Sequence, residues 1–418
     1  MTSIPSTALA LDDIRLGDRA LWLRPDREGI FATLRAERPV SFHEVGFPGF
    51  PATAGFWAIV RYADVVAVSC QPETFVSGRG VNVGDLTPEL AEFFGSMIVM
   101  DAPRHTKLRK LVSWGFTPRV IRQLEEAVRV QARRIVDAVA PKGTCDFVEE
   151  VAAALPLRII CDMMGIPETE HRRIFELTNV ILGVGDPEYA TTQEGLLAAA
   201  VELYEYAQRL AEDRRGHPRD DITTALMQAE VDGERLTTQE LGSFFILLVA
   251  AGNETTRNAI SHGMKALTDF PEERARWMAD FERVAPTAVE EIVRWATPVI
   301  HFRRTATRDV EIAGQSIRAG DKIVLWYNSA NRDAAAFADP YRFDVTRTPN
   351  DHVGFGAGGP HFCLGANLAR REIRVMFEEL FRRLPDIHVT GAPDMLESFF
   401  IHGIKRMPVA FTPRTPAG

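Results

Sequence analysis

Residues 353–385 read VGFGAGGPHFCLGANLARREIRVMFEELFRRLP, and this stretch decides the fold. Gly354, Gly356, Gly358 and Gly359 permit a tight, unusual backbone path. Pro360-His361-Phe362 then leads to Cys363, and a helix begins almost at once. On that helix Ala366, Ala369, Ile373, Phe377 and Leu380 share one arc, the spacing of an element buried along a face. A cysteine at a helix N-terminus has its thiolate favoured by the positive end of the dipole and by unpaired N–H groups. An isolated cysteine is most often a buried structural residue. Here the glycine-rich approach and the helix start turn the reading towards chemistry.

Spacing removes most of the chemistries open to such a thiolate. A phosphatase-type loop wants an arginine after five intervening residues, but Arg370 lies seven beyond Cys363. Zinc needs further cysteine or histidine ligands, and only His361 is near. A cysteine-protease pair fails similarly, because that same histidine stands two residues from the cysteine. Axial ligation of haem iron remains.

Upstream, Thr237 with Glu240 three residues later forms a plausible capping box. The helical pattern that follows runs to about Phe270, before Pro271, a length of about 50 Å. Its middle, FFILLVAAG, is apolar all round, so the helix should pass through the interior. Gly252-Asn253-Glu254-Thr255-Thr256 follows directly. Either the helix emerges at the surface at Asn253, or a site is built into a locally loosened helix where a hydroxyl and a carboxyl handle protons or water. Two further helices carry charged pairs. In DAPRHTKLRKLV (101–112), His105 and Arg109 share one face and could clamp a buried anion, a solvated basic face being the plainer alternative. In PTAVEEIVRWATP (286–298), helical between its two prolines, Glu291 and Arg294 can pair three apart, which alone says little.

The 418 residues are 46% hydrophobic and 25% charged, ordinary globular usage that excludes a disordered or fibrous chain. A net charge of −9, from 57 acids against 48 bases, offers no excess to attract a phosphate backbone. Cys70, Cys145, Cys161 and Cys363 are too few for a disulfide scaffold and suit a reducing cytoplasm. The N-terminus has no signal-peptide pattern. The longest strongly apolar stretch, Phe244–Gly252, falls well short of the roughly 20 residues that span a bilayer. No repeat or linker divides the chain. FWAIV (56–60) and KIVLWYN (322–328) read as strands, 46–51 as a turn, and LEEAVRVQARRIVDAV and AAAVELYEYAQRLAEDRR as helices. The fold class is mainly α with a minor β portion, near 40–75 and 300–330, in one domain over 1–418.

Taken in order, these stretches resemble one family, the cytochromes P450, which are haem-thiolate monooxygenases; agreement runs from about residue 96 onward. The resemblance implies a long central helix over haem b and a cysteine-ligand loop beneath it, with Cys363 in HFCLG as the iron ligand. Ala251-Gly252-Asn253-Glu254-Thr255 matches the oxygen-activation stretch, with Glu254 and Thr255 delivering protons. Glu291 and Arg294 match the family's Glu-x-x-Arg, whose third partner is expected at Arg347 in FDVTR rather than Arg342. His105, Arg109, Arg304 and His361 match positions that hold the haem propionates. Two departures stand out: the loop from Phe355 to Cys363 is one residue longer than usual, and Glu254 replaces the common aspartate.

SMIVMDAPRH, LPLRIICDMMGIP, FFILLVAAGNETTRNAI, CLGANLARREIRV and FIHGIK are similar to one bacterial branch of the family. Its members hydroxylate terminal methyl groups of methyl-branched lipids, with relatives acting on the cholesterol side chain. The implied reaction is ω-hydroxylation of a methyl-branched fatty acyl, isoprenoid or sterol side chain. Pocket walls are expected from Leu247, Leu248, Ala251 and Gly252 on the central helix, then Val299, Ile300 and Phe302, then Phe399, Phe400 and Ile401. Electrons would come from NAD(P)H through a separate ferredoxin and ferredoxin reductase. Lys107, Lys110, Arg370, Arg371 and Arg374 are expected to form a basic docking patch on the thiolate side. A P450 acting on another apolar metabolite is the alternative. A haem sensor without turnover would have no use for Glu254 and Thr255, and a non-oxidative isomerase would need no oxygen.

Overall fold

The computed structural model describes residues 4–45, 53–85, 90, 93–189, 192–231 and 233–415; the turn expected at 46–51 lies outside them. The organising element is the helix Thr238–Asp269. Its start is fixed by a reciprocal cap: the Glu240 N–H donates to Thr237 Oγ1 at 3.2 Å, and the Thr237 N–H donates to the Glu240 carboxylate at 2.9 Å. Such a cap contributes about 1 kcal/mol.

The helix neither surfaces nor loosens after Gly252, which corrects the expected exit at Asn253 and the expected loosening of the helix. Asn253 is 0% exposed and Glu254 1%, and helical structure is continuous to Asp269. A Cβ on Gly252 would meet the Ile160 side chain at 3.3 Å, so the glycine is a close-packing position against a neighbouring helix. That neighbour, Ala154–Met164, packs on the central helix together with His171–Leu182, Gln193–Gly216, Phe281–Ala296 and Ala366–Arg383. Where the last two meet, Trp277 stacks on Phe281 at 5.4 Å and touches Phe377 at 5.2 Å. The helix expected from Pro286 begins earlier, at Phe281, because Asp280 caps it and Pro286 is absorbed inside it.

The minor β portion is chiefly one five-stranded sheet, in the order Val40–Val45, Thr53–Ile59, Lys322–Trp326, His301–Ala306, Phe75–Val76. All pairings are antiparallel except Thr53–Ile59 with Lys322–Trp326. Phe56 and Val324 on this sheet share an apolar cluster with Ile30 and Phe31 of the first helix, and Trp326 stacks on Trp22 at 5.4 Å. The expected strand 322–328 ends at Trp326 and turns into the helical turn Tyr327–Ala330. His301–Ala306 and the tail segment around Phe400 then bring apolar residues to the central helix.

Candidate active site

Cys363 stands just ahead of the helix Ala366–Arg383, at the end of the glycine-rich loop. Its N–H donates to Phe355 O at 2.9 Å, which closes the loop. Gly359 has φ +77° and approaches so closely that a Cβ would lie 2.4 Å from Ser69 O; only glycine fits. The thiol is half-buried. Burial pushes its pKa above the ordinary value, while the Gly365 N–H, Arg109 and Arg370 pull it down. The helix start therefore does not by itself make the protein a ready thiolate: desolvation outweighs it. A metal cation bound at sulfur would favour the deprotonated form.

Around the thiol the chain gathers His105, Arg109, Arg304 and His361. The rings of His105 and His361 are 4.2 Å apart. Arg109 Nη2 donates to Phe362 O at 2.6 Å. Burial first, then Arg304, His105 and Arg109, push the His361 imidazole down to about 3. Arg304 is buried and its Nη1 donates to the Arg303 carbonyl, at 2.8 Å. Among the described residues neither Arg109 nor Arg304 has a carboxylate partner, and His105 Nε2 is buried with no partner. Asp101 is the acid that acts on His105, and two guanidiniums without carboxylate partners still call for anions from outside the chain. Two carboxylates on one group, as on haem b, fit them.

On the central helix, Leu247, Ala251 and Thr255 recur every four residues and line a cavity of about 290 Å³. Ala251 is exposed although the residues beside it are largely buried, because it faces this space. Val299, Phe302, Phe399, Phe400 and Ile401 also line it. Leu248, Gly252 and Ile300 do not. Leu248 is buried in the main core; Gly252 faces Ile160; Ile300 packs with Trp326 in the N-terminal cluster. At 100° per residue, positions 248 and 252 sit beside the cavity face rather than on it. Thr255 lines the cavity, and its Oγ1 donates to Ala251 O at 2.7 Å. Glu254 faces away, bonded to Arg257, whose Nη1 reaches Asn179 Oδ1 at 2.9 Å. Burial pushes the Glu254 carboxyl up, against the pull of Arg257 and Asn258.

Glu291, Arg294 and Arg347 meet in one buried cluster. Arg294 grips Glu291 with two bonds, 2.7 and 2.8 Å, and Arg347 Nε reaches Glu291 Oε2 at 3.1 Å. Arg342 lies elsewhere, 3.5 Å from Glu273. Arg294 also donates to the carbonyls of Asn331, Pro340 and Arg342. The cluster thus pins the irregular chain that runs into the cysteine loop.

The basic patch is largely neutralised. Lys107 pairs with Glu234, Arg370 with Glu290, Arg371 with Glu125 and Arg374 with Glu282, all within 2.6–2.8 Å. Only Lys110 of the five is exposed without an acid partner among the described residues. The sequence reading also missed the cavity walls Val81, Phe94, Ile98, Ile181 and Leu182, and it missed Arg19. No motif marks these residues; only the fold brings them together. Among the described residues, no helix is long and apolar enough to cross a membrane.

The sequence model of the family described as Cytochrome P450 matches residues 53–399. The chain is 55% identical over 414 residues, 98% of this chain and 97% of the relative, to the methyl-branched lipid omega-hydroxylase of Mycobacterium tuberculosis (strain H37Rv). It is 41% identical to the steroid C26-monooxygenase of Mycolicibacterium smegmatis, over 91% of this chain and 90% of that one. Among solved structures, a Mycobacterium marinum cytochrome P450 in complex with pseudoionone superposes with a TM-score of 0.91 at 47% identity, covering 98% of this chain and 100% of that one. Such membership implies haem and electron supply from redox partners. The family match and these end-to-end relatives agree with the α-rich architecture: the chain belongs to the cytochrome P450 family and is a monooxygenase.

Proposed function

We propose that Cys363 is the haem-iron ligand and that the enzyme hydroxylates the terminal carbon of a methyl-branched lipid: a fatty acyl, isoprenoid or sterol side chain. The observation that carries this reading is the small, mainly apolar cavity against Leu247, Ala251 and Thr255. At about 290 Å³ it lies at the small end of ligand sites, which run to about 1,000 Å³. The methyl-branched lipid and steroid specificities of the relatives point the same way.

Haem b, once bound, supplies reductive activation of dioxygen and insertion of one oxygen atom into a C–H bond. His105, Arg109, Arg304 and His361 would hold its propionates; the two imidazoles, lowered by burial, act as neutral donors and the two guanidiniums as charges. Leu247, Val299 and Phe400 exclude water from the chain being oxidised. Thr255 passes a proton through its hydroxyl at the cavity wall, and Glu254 with Arg257 behind it holds the buried end of that route. Thr255→Ala is expected to bind substrate normally yet release several-fold more peroxide per NADPH consumed; equal coupling to product in both proteins would remove Thr255 from proton delivery.

Residues 1–418 act as one catalytic domain, since both the helical and the β portions supply cavity walls. Electrons pass from NAD(P)H through ferredoxin and ferredoxin reductase. With most of the patch paired, docking depends on Lys110 more than on a broad basic field. The four free cysteines suit a cytoplasmic location.

Secondary and tertiary C–H bonds are weaker than those of a terminal methyl, so a wide pocket would favour attack inside the chain. Terminal selectivity needs a channel that admits only the chain end, and a methyl branch fills width that a straight chain leaves empty. One buried methyl contributes about 0.8 kcal/mol, about fourfold in affinity. Matched branched and linear lipids, turned over with surrogate redox partners and analysed by mass spectrometry, should show terminal hydroxylation and about a fourfold preference for the branch. Mainly in-chain product, or no preference, overturns the substrate assignment.

A further inference from the structure

We propose that Arg19 binds the carboxylate of the substrate, so that the chain to be hydroxylated enters as a free fatty acid. This rests on the reading above of a branched apolar chain oxidised at its far end. Arg19 opens the short helix Arg19–Leu23 and lines the same cavity as Ala251 and Thr255. The cavity is otherwise mainly apolar, and Asp85 is the acid found in its lining among the described residues. Asp85 is already claimed twice, by Arg303 Nη1 and by Lys322 Nζ, each at 2.6 Å. The guanidinium of Arg19 has no acid, carbonyl or ring partner among the described residues. It is half-buried.

The position is built. Gly185 has φ +93°, and a Cβ there would fall 1.3 Å from Arg19 Nη1, so the guanidinium lies where any other side chain at 185 would stand. An unpaired, partly desolvated guanidinium is costly, and its planar fork matches a carboxylate with two charge-assisted bonds. A sterol, ester or hydrocarbon leaves that cost standing; an acid removes it. With the acid end at Arg19, the other end of the chain is the part left to reach Thr255. One contact then selects the substrate class and sets which end is presented for oxidation.

The test uses the haem-loaded enzyme and three probes: an iso-branched long-chain fatty acid, its methyl ester and the corresponding alcohol. Affinities are read from the substrate-induced spin-state shift and from equilibrium dialysis. Wild type should favour the acid over the ester at least tenfold, and Arg19→Gln should abolish that preference. Arg19→Lys should restore part of it. Gly185→Ala, which displaces the guanidinium, should weaken acid binding in parallel. No acid preference in wild type, or equal loss for acid and ester in Arg19→Gln, overturns the proposal. The two readings fail separately: an Arg19-dependent acid preference with in-chain product would sink terminal hydroxylation and leave the anchor, whereas terminal product without acid preference would do the reverse.

Discussion

Cys363→Ala is expected to lose the strongly red-shifted Soret band of the ferrous carbonyl complex, and product formation should fall to background. The argument does not rest on loss of fold. The thiol is half-buried, and the contacts that shape its loop fall on main-chain atoms of the loop: Cys363 N–H to Phe355 O, Arg109 to Phe362 O, and Ser69 Oγ to Gly358 O at 3.0 Å. Alanine preserves all of them. What goes is the one sulfur that the chain places between Arg109, Arg370 and the Gly365 N–H, the three groups that favour its charged form. The variant should still take up some haem through His105, Arg109, Arg304 and His361, with the spectrum of a neutral or absent axial ligand. A carbonyl spectrum unchanged from wild type would remove Cys363 as ligand. Wild-type-like spectra with no turnover would place the defect elsewhere.

Local spacing made part of this legible before any coordinates. Thr237 and Glu240 announce a helix start that the structure shows as a reciprocal cap, and the apolar run after them announces an interior helix. The glycine-rich approach to Cys363 and the following arc of Ala366, Ile373 and Phe377 are likewise local patterns. What failed was whatever depends on a partner from a distant segment. Asn253 and Glu254 look like a surface exit until Thr178 and Asn179 of the helix His171–Leu182 are packed against Asn253 and against Arg257, the partner of Glu254. Leu248 and Gly252 look like pocket until the Ile160 helix is packed on that side. A count of lysines and arginines on two helices looks like a docking patch until Glu125, Glu234, Glu282 and Glu290 arrive from other elements. Arg19 carries no sequence signal at all, because its meaning lies in the absence of a partner.

Removing Arg294 should be the most damaging single change for stability. Arg294 and Glu291 are both fully buried, and the carboxylate also accepts from Arg347, from Asn350 Nδ2 at 3.1 Å and from the Asp344 N–H at 2.9 Å. Taking out one partner of a buried ion pair leaves a charge without compensation and costs about 3–5 kcal/mol, a large share of the 5–15 kcal/mol typical of a folded protein, roughly. Apolar replacement of both partners, often neutral for buried pairs, should not rescue this one, because the carbonyls of Asn331 and Pro340 would lose their Arg294 donor. Arg347→Ala removes one bond to Glu291 while its remaining bonds go to exposed main-chain carbonyls, so it should cost less. Arg342→Ala loses only a long contact to Glu273 and should cost within about 1 kcal/mol. Denaturant unfolding of the haem-loaded variants, followed by circular dichroism and by haem release, should therefore rank Arg294→Ala below Arg347→Ala below Arg342→Ala. Haem release should precede global unfolding in Arg347→Ala, since the chain that Arg347 fastens leads directly to the Cys363 loop. An Arg342 variant as unstable as the Arg294 variant would break the assignment of Arg347 as the third member of the cluster.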